Sequence, residues 1–178
     1  MPHAPEQTNA AEFEPSTQTA REDAAATLHA TAVLVGARAV LIRGPAGSGK
    51  SSLAVRLLQA ADAHLLRFAR LVGDDRVHIA ARHGVLLVRP PAALAGLIEI
   101  RGLGLRNVPF EPLAAVGWVV DLAAADAARL PEPAEAITVV SGIRLPRLAV
   151  AHAADPIVPV LTFLCAAEGS PAAAHAPI

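Results

Sequence analysis

Val40-Leu41-Ile42-Arg43-Gly44-Pro45-Ala46-Gly47-Ser48-Gly49-Lys50-Ser51-Ser52-Leu53 runs from an apolar, β-branched stretch through a glycine-rich turn into residues with helical spacing. Residues 44–51 satisfy G-x-x-x-x-G-K-[ST] in full, and the order strand, loop, helix is the context in which that pattern reads as a phosphate-binding loop. Gly44, Gly47 and Gly49 let successive backbone N–H groups turn toward phosphate oxygens. The helix that opens there adds unpaired first-turn amides, those of Ser51 and Ser52 among them, and the positive end of its dipole. Lys50 offers an ammonium to the outer phosphates and Ser51 a hydroxyl to Mg²⁺. The plain alternative is a turn that binds nothing, and the coincidence of all three elements argues against it. The expected class is α/β with a bound nucleotide.

Working outward, Ala30-Thr31-Ala32-Val33-Leu34-Val35 and Ala39-Val40-Leu41-Ile42 flank Gly36-Ala37-Arg38, so the loop is fed from a hairpin. A helix is expected over residues 50–61, a strand ending near Val72 and another starting near Arg76. His83-Gly84 reads as a turn into Val85-Leu86-Leu87-Val88, and Pro90-Pro91 as the start of a short helix over residues 92–97. Residues 98–105 alternate and then run into a glycine-rich loop. Residues 118–122, 137–140 and 143–150 read as further strands. The fold expected is therefore a mixed sheet with flanking helices.

The chain has 178 residues, enough for one domain, and its single cysteine, Cys165, cannot form an internal bridge. Residues 1–26 carry Glu6, Glu12, Glu14, Glu22 and Asp23 against Arg21 alone and have no apolar period. They are expected to be a disordered acidic tail, with a catalytic domain over 27–166 and a flexible tail over 167–178. The remainder is mildly cationic, which suits a polyphosphate ligand. With aromatics at only 3% and no basic stripe, a nucleic-acid footprint is excluded. The weakly charged stretch 156–167 contains two prolines and is far shorter than the ~20 residues of a membrane span. No signal peptide is read at the N-terminus, and the expected location is the cytoplasm.

Asp74-Asp75 follows an apolar strand, where phosphate-loop proteins place a carboxylate facing the metal and the attacking group. Neighbouring strand side chains point to opposite faces, so an irregularity, for which Gly73 is the candidate, is needed to bring both acids to one site. A solvated acidic turn paired with Arg76 or Arg70 is the other reading. Glu99 and Arg101 alternate with Ile98 and Ile100, which puts the acid and the base together on a wet or ligand-facing side. A surface ion pair on an edge strand, worth ~0–1 kcal/mol, would give the same pattern. His29, a lone histidine beside a strand, is by itself more often a structural residue than a chemical one.

These residues together resemble the catalytic domain of the HPr kinase/phosphorylase family, over approximately residues 28–150. The resemblance lies in His29, the loop 44–51, Leu71-Val72-Gly73-Asp74-Asp75-Arg76-Val77, and above all Ile98-Glu99-Ile100-Arg101-Gly102-Leu103-Gly104-Leu105. It implies the phosphoenolpyruvate carboxykinase-like type of P-loop fold and an ATP-dependent kinase acting on a serine of the phosphocarrier protein HPr. It further implies that Lys50 and the loop amides bind ATP, that Ser51 and Glu99 hold Mg²⁺, and that Asp75 is the general base. Asp74 would support metal or water, His29 would be an active-site histidine, and Arg101 would place charge near the transferred phosphoryl group or the partner. The family forms hexamers, so a homo-oligomer is a further expectation, its subunit number left open. The family's Pro-Gly-Arg-Asn loop is replaced here by Ala151-His152-Ala153-Ala154-Asp155-Pro156 and its basic C-terminal helices are absent, which argues against phosphorylase activity. In this the chain resembles the short kinase form of α-proteobacteria, tied to regulation of a phosphotransferase system. A small-molecule kinase and a nucleotide-responsive binding module without turnover are the alternative readings.

Overall fold

The computed structural model describes residues 26–168; the segments expected to be tails lie almost wholly outside them. Eleven strands and two helices are described: β1 (Ala26–Leu28), β2 (Thr31–Val35), β3 (Arg38–Arg43), α1 (Lys50–Asp62), β4 (Ala69–Gly73), β5 (Val77–Arg82), β6 (Val85–Arg89), β7 (Leu97–Ile100), β8 (Gly104–Asn107), β9 (Ala114–Leu122), β10 (Ile137–Val140), β11 (Ile143–Val150) and α2 (Ile157–Glu168). The expected hairpin forms as β2 and β3, antiparallel, with Gly36 at φ 56 in the turn between them. Between β6 and β7 the chain makes only one 3₁₀ turn, Ala92–Leu94. The short helix expected over residues 92–97 stops there because Leu97 is already the first residue of β7, paired with Asn107.

The main sheet is mixed and curled, in the order β1-β5-β6-β9-β3-β2-β4. β9 organises it. Along one edge it pairs with β3 in parallel; along the other, Ala114 and Ala115 pair with β6, and residues 119–122 pair in parallel with β11. β3, β9 and β11 therefore end on one side, where ligands bind in sheets of parallel strands. β7 and β8 form a separate two-stranded hairpin.

Alternation along β3 divides the core in two. Val40 and Ile42 face α1 and pack with Leu53, Leu57, Trp118 and Val120, all buried. Ala39 and Leu41 face the inside of the curl with Leu86, Val88, Val116 and Val119. In α1 the buried positions Lys50, Leu53, Ala54, Leu57 and Ala60 keep the spacing of one helix face. The helix ends with His64 at φ 59, its N–H bonded to the Ala61 carbonyl and that of Leu65 to the Ala60 carbonyl, a Schellman closure in which histidine takes the place usual for glycine.

α2 was not foreseen from the sequence, which at 156–167 shows two prolines and no charged residue. Pro156 precedes the helix, where its fixed φ helps and its missing N–H costs nothing. Asp155 Oδ1 accepts the Ile157 N–H at 3.1 Å and so caps it. Val160 and Leu164, fully buried, join the α1 side of the core. No described helix is long and apolar enough to cross a membrane.

On the inner face, Arg43, the residue before the loop, donates through Nε and Nη2 to the two Asp121 oxygens at 2.7 and 2.8 Å. Arg147 on β11 donates to Asp121 and to Asp126. Burial opposes ionisation of Asp121, but the hydrogen bonds and charges of both arginines outweigh it and hold the carboxyl below its ordinary range. The pairs tie Arg43 at the end of β3 and Arg147 within β11 to Asp121 near the end of β9.

Candidate active site

Every element of the loop takes the conformation its residue types allow. Gly44, Gly47 and Gly49 have φ 148, 77 and 95, and Gly49 is the N-cap of α1. A Cβ on Gly44 would stand 2.8 Å from the Leu122 carbonyl and 2.6 Å from Ser48 Oγ, so no larger residue fits. No acidic side chain occupies the first turn of α1 and no side chain caps it, which leaves its positive end to a ligand. Lys50, largely buried, donates from Nζ to the carbonyls of Gly44 and Pro45, each at 3.0 Å. It thereby crosses back over its own loop.

Asp74 and Asp75 diverge through two irregularities at the end of β4. The β2–β4 register shifts so that Ala32 faces Gly73 but Val33 faces Leu71. Asp75 then sits at φ 63, with the Arg76 N–H bonded to the Asp74 carbonyl at 2.7 Å, a tight three-residue turn of the less common hand. Asp74 turns inward and is buried. Its Oδ1 accepts Thr31 Oγ1–H at 2.6 Å and Ser51 Oγ–H at 2.8 Å, and its Oδ2 accepts the Glu99 N–H at 3.1 Å. Asp75 turns outward and accepts from His29 Nε2 at 2.9 Å, both side chains at least half exposed.

A cleft of about 300 Å³ is lined by His29, Lys50, Ser51, Ser52, Asp75, Glu99 and Arg101, with Ala46, Gly47 and Gly49 of the loop. Glu99 and Arg101 reach it from the β7–β8 hairpin, whose Ile98 faces the core. Arg101 Nη2 lies about 4.0 Å from where a Cβ of Gly47 would stand, so the guanidinium overhangs the loop. Gly44, Pro45 and Ser48 do not line this cleft; Ser48 lines a neighbouring cavity together with Gly47. Asp74 does not line it either; it holds Ser51 and the start of Glu99 in place from behind.

The oxygen donors in the cleft, Ser51, Asp75 and Glu99, match the habit of Mg²⁺, which takes one or two protein oxygens and completes its shell with phosphate and water. Among the described residues no three acids, histidines or cysteines form a ready cage, so any such ion would depend on the phosphates. Thr31 is the site residue that sequence reasoning passed over. Its signal was a hydroxyl in an otherwise apolar strand, next to the strand that ends in the acids.

The family model described as HPr Serine kinase C-terminal domain matches residues 22–110, half of the chain. The chain belongs to that family. Within this HPr serine kinase family, it is 39% identical over 82 residues to the HPr kinase/phosphorylase of Clostridium tetani, and 39% identical over 83 residues to that of Enterococcus faecalis. Each alignment covers 46% of this chain but only 25% and 24% of the relative, so the chain matches about a quarter of the length of these proteins. The HPr(Ser) kinase/phosphatase of Coxiella burnetii shares the fold at a TM-score of 0.65, over 80% of this chain and 96% of that one, at 22% identity. The family match includes every cleft residue named above and ends before β9.

Proposed function

We propose that the protein is an ATP-dependent serine kinase whose substrate is the phosphocarrier protein HPr, working in the cytoplasm. The carrying observation is that one cleft gathers a phosphate loop, a cation over it, an outward carboxylate oriented by a histidine, and a second carboxylate on the facing hairpin. The curled mixed sheet fits the phosphoenolpyruvate carboxykinase-like type of P-loop fold.

In this reading the loop amides and Lys50 hold the β- and γ-phosphates, Lys50 exchanging two neutral carbonyls for charged oxygens. Ser51 and Glu99 would hold Mg²⁺, which when bound would neutralise the phosphate charge. Asp75, oriented through its His29 bond, accepts the hydroxyl proton of the substrate serine as its oxygen bonds to the γ-phosphorus and the bond to the departing ADP oxygen breaks. A carboxylate is a weak base for a hydroxyl, so orientation is the larger contribution of Asp75. Arg101 faces the same phosphates and stabilises the charge spread over the transferred group.

The loop 151–156 offers no arginine, and the proposed transfer runs from ATP to protein only. The test is incubation with ATP, Mg²⁺ and HPr, with mass spectrometry locating the phosphate. Asp75→Asn should abolish transfer and leave nucleotide binding intact; undiminished transfer by that variant refutes the assigned base. Turnover on sugars or nucleoside monophosphates without HPr would replace this reading with a small-molecule kinase.

A further inference from the structure

Ala26, the first described residue, opens β1, which pairs Ala26 with Ile79, Thr27 with His78 and Leu28 with Val77 and so runs toward the phosphate cleft. His29 follows at once, lines the cleft and bonds Asp75 at 2.9 Å. Between Ala26 and His29 the chain spans at most ~10 Å. Residues 1–25 are thus attached beside the proposed general base. Thr27 Oγ1 lies 3.2 Å from His78 Nδ1 and Leu28 packs against the inner core, which fixes the point of attachment.

The acceptor side of this cleft is open. Asp75 and His29 are both at least half exposed, so a hydroxyl can reach the carboxylate from solvent. Two cations stand close by: Arg101 overhangs the loop, and Arg76, the residue after Asp75, is exposed. Neither guanidinium has a hydrogen-bond or ion-pair partner among the described residues. Residues 1–25 carry Glu6, Glu12, Glu14, Glu22 and Asp23 against Arg21, a side-chain charge of −4 that complements those two cations.

The serines of the chain narrow the choice of acceptor. They are Ser16, Ser48, Ser51, Ser52, Ser141 and Ser170. Ser48, Ser51 and Ser52 belong to the loop and the first turn of α1, and Ser141 stands in the turn between β10 and β11. Ser170 follows the last residue of α2 by two positions, a tether of at most ~7 Å, and no residue of α2 lines the cleft. Ser16 precedes Ala26 by ten positions. A flexible chain of that length has a root-mean-square span of ~16–19 Å, more than the ~10 Å that separates Ala26 from His29. A hydroxyl tethered at such range acts at an effective concentration in the millimolar range.

We infer that the protein phosphorylates its own chain at Ser16, within one molecule. The inference rests on the serine-kinase reading given above. Ser16 Oγ bonds to the γ-phosphorus of ATP as the bond from that phosphorus to the β,γ-bridging oxygen breaks. ADP leaves with the electron pair, and the hydroxyl proton passes to Asp75. Glu12 and Glu14, just before the acceptor, face Arg76 and Arg101 in this arrangement.

The test incubates the whole chain with Mg²⁺-ATP without HPr, and mass spectrometry locates the phosphate. The wild type should gain one phosphate, on Ser16, at an initial rate per molecule that stays constant over about a hundredfold range of protein concentration, as an intramolecular step requires. Asp75→Asn should remain unlabelled, which excludes a co-purified kinase. Ser16→Ala should also remain unlabelled, and its continued transfer of phosphate to added HPr shows that it is folded. Phosphate on Thr17, Thr19 or any described residue in place of Ser16, or a rate per molecule that rises in proportion to concentration, overturns the inference. Transfer to HPr with no labelling of the protein itself also overturns it and leaves the proposed function standing. Transfer to neither acceptor overturns the kinase reading and the inference together.

Discussion

Replacing Thr31 by valine removes one hydroxyl from a fully buried position while keeping the branched shape. That hydroxyl donates to Asp74 Oδ1 at 2.6 Å, and both residues are shut off from water. A hydrogen bond to a charged acceptor is worth about 1.5–3 kcal/mol. Valine returns a few tenths through β-propensity and apolar burial, too little to compensate. The expected net loss is about 2 kcal/mol, or a fall in Tm of roughly 5–8 °C for a domain of this size. Urea denaturation should show a lower midpoint with an unchanged slope.

Ser51→Ala removes the second donor to the same oxygen, at 2.8 Å, and alone should cost less because Ser51 is only partly buried. Together the two changes leave Asp74 with the Glu99 N–H as its one remaining donor among the described residues. The double variant should therefore lose about 1 kcal/mol more than the sum of the single losses. An unchanged midpoint for Thr31→Val, or additivity within about 0.3 kcal/mol, would show that Asp74 is not the buried junction described above.

Three further outcomes follow from named contacts. Asp121→Asn should cost about 2–3 kcal/mol at neutral pH, below the usual ~3–5 for breaking a buried pair because Arg43 and Asp121 are partly exposed. The Asp121 carboxyl titrates below its ordinary value, so its contribution is present above pH ~4 and lost as pH falls through the lower native value. Acid titration should accordingly destabilise the wild type more steeply than Asp121→Asn below pH ~4. Lys50→Ala should weaken Mg²⁺-ATP binding about 10–100-fold by calorimetry, the worth of a charge-assisted hydrogen bond, without lowering Tm by more than a few degrees. Gly44→Ala should both destabilise the domain and abolish nucleotide binding, since its Cβ would meet the Leu122 carbonyl at 2.8 Å; a thermal melt and a binding isotherm check it.

The loop, its feeding hairpin and α1 were legible because each is fixed by local chemistry: glycines at positive φ, alternation along β2 and β3, and helical spacing from Lys50 onward. The same holds for Glu99 and Arg101, whose shared face follows from alternation with Ile98. What stayed hidden depends on contacts distant in sequence. The need for an irregularity before Asp74-Asp75 was predictable, but its form required the β2–β4 register and the turn at Asp75. Thr31 gave no local sign of its partner. The Arg43–Asp121–Arg147 clamp joins residues on three strands, and α2 forms because its apolar face finds α1 rather than because of strong propensity.

Ser51 and Glu99 come from different elements, yet both are hung from one carboxylate, by a side-chain hydroxyl in one case and a main-chain amide in the other. Asp74, which itself lies outside the cleft, thereby fixes the Ser51 hydroxyl and the main chain from which the Glu99 carboxylate extends. Cations differ in the gap they tolerate: Mg²⁺ demands oxygens at about 2.0–2.1 Å in a strict octahedron, whereas Ca²⁺ accepts about 2.3–2.6 Å and looser shells. Under the proposed function, Asp74 would act as a spacer, and the preference for a small ion over a large one would originate one layer beneath the oxygens of Ser51 and Glu99.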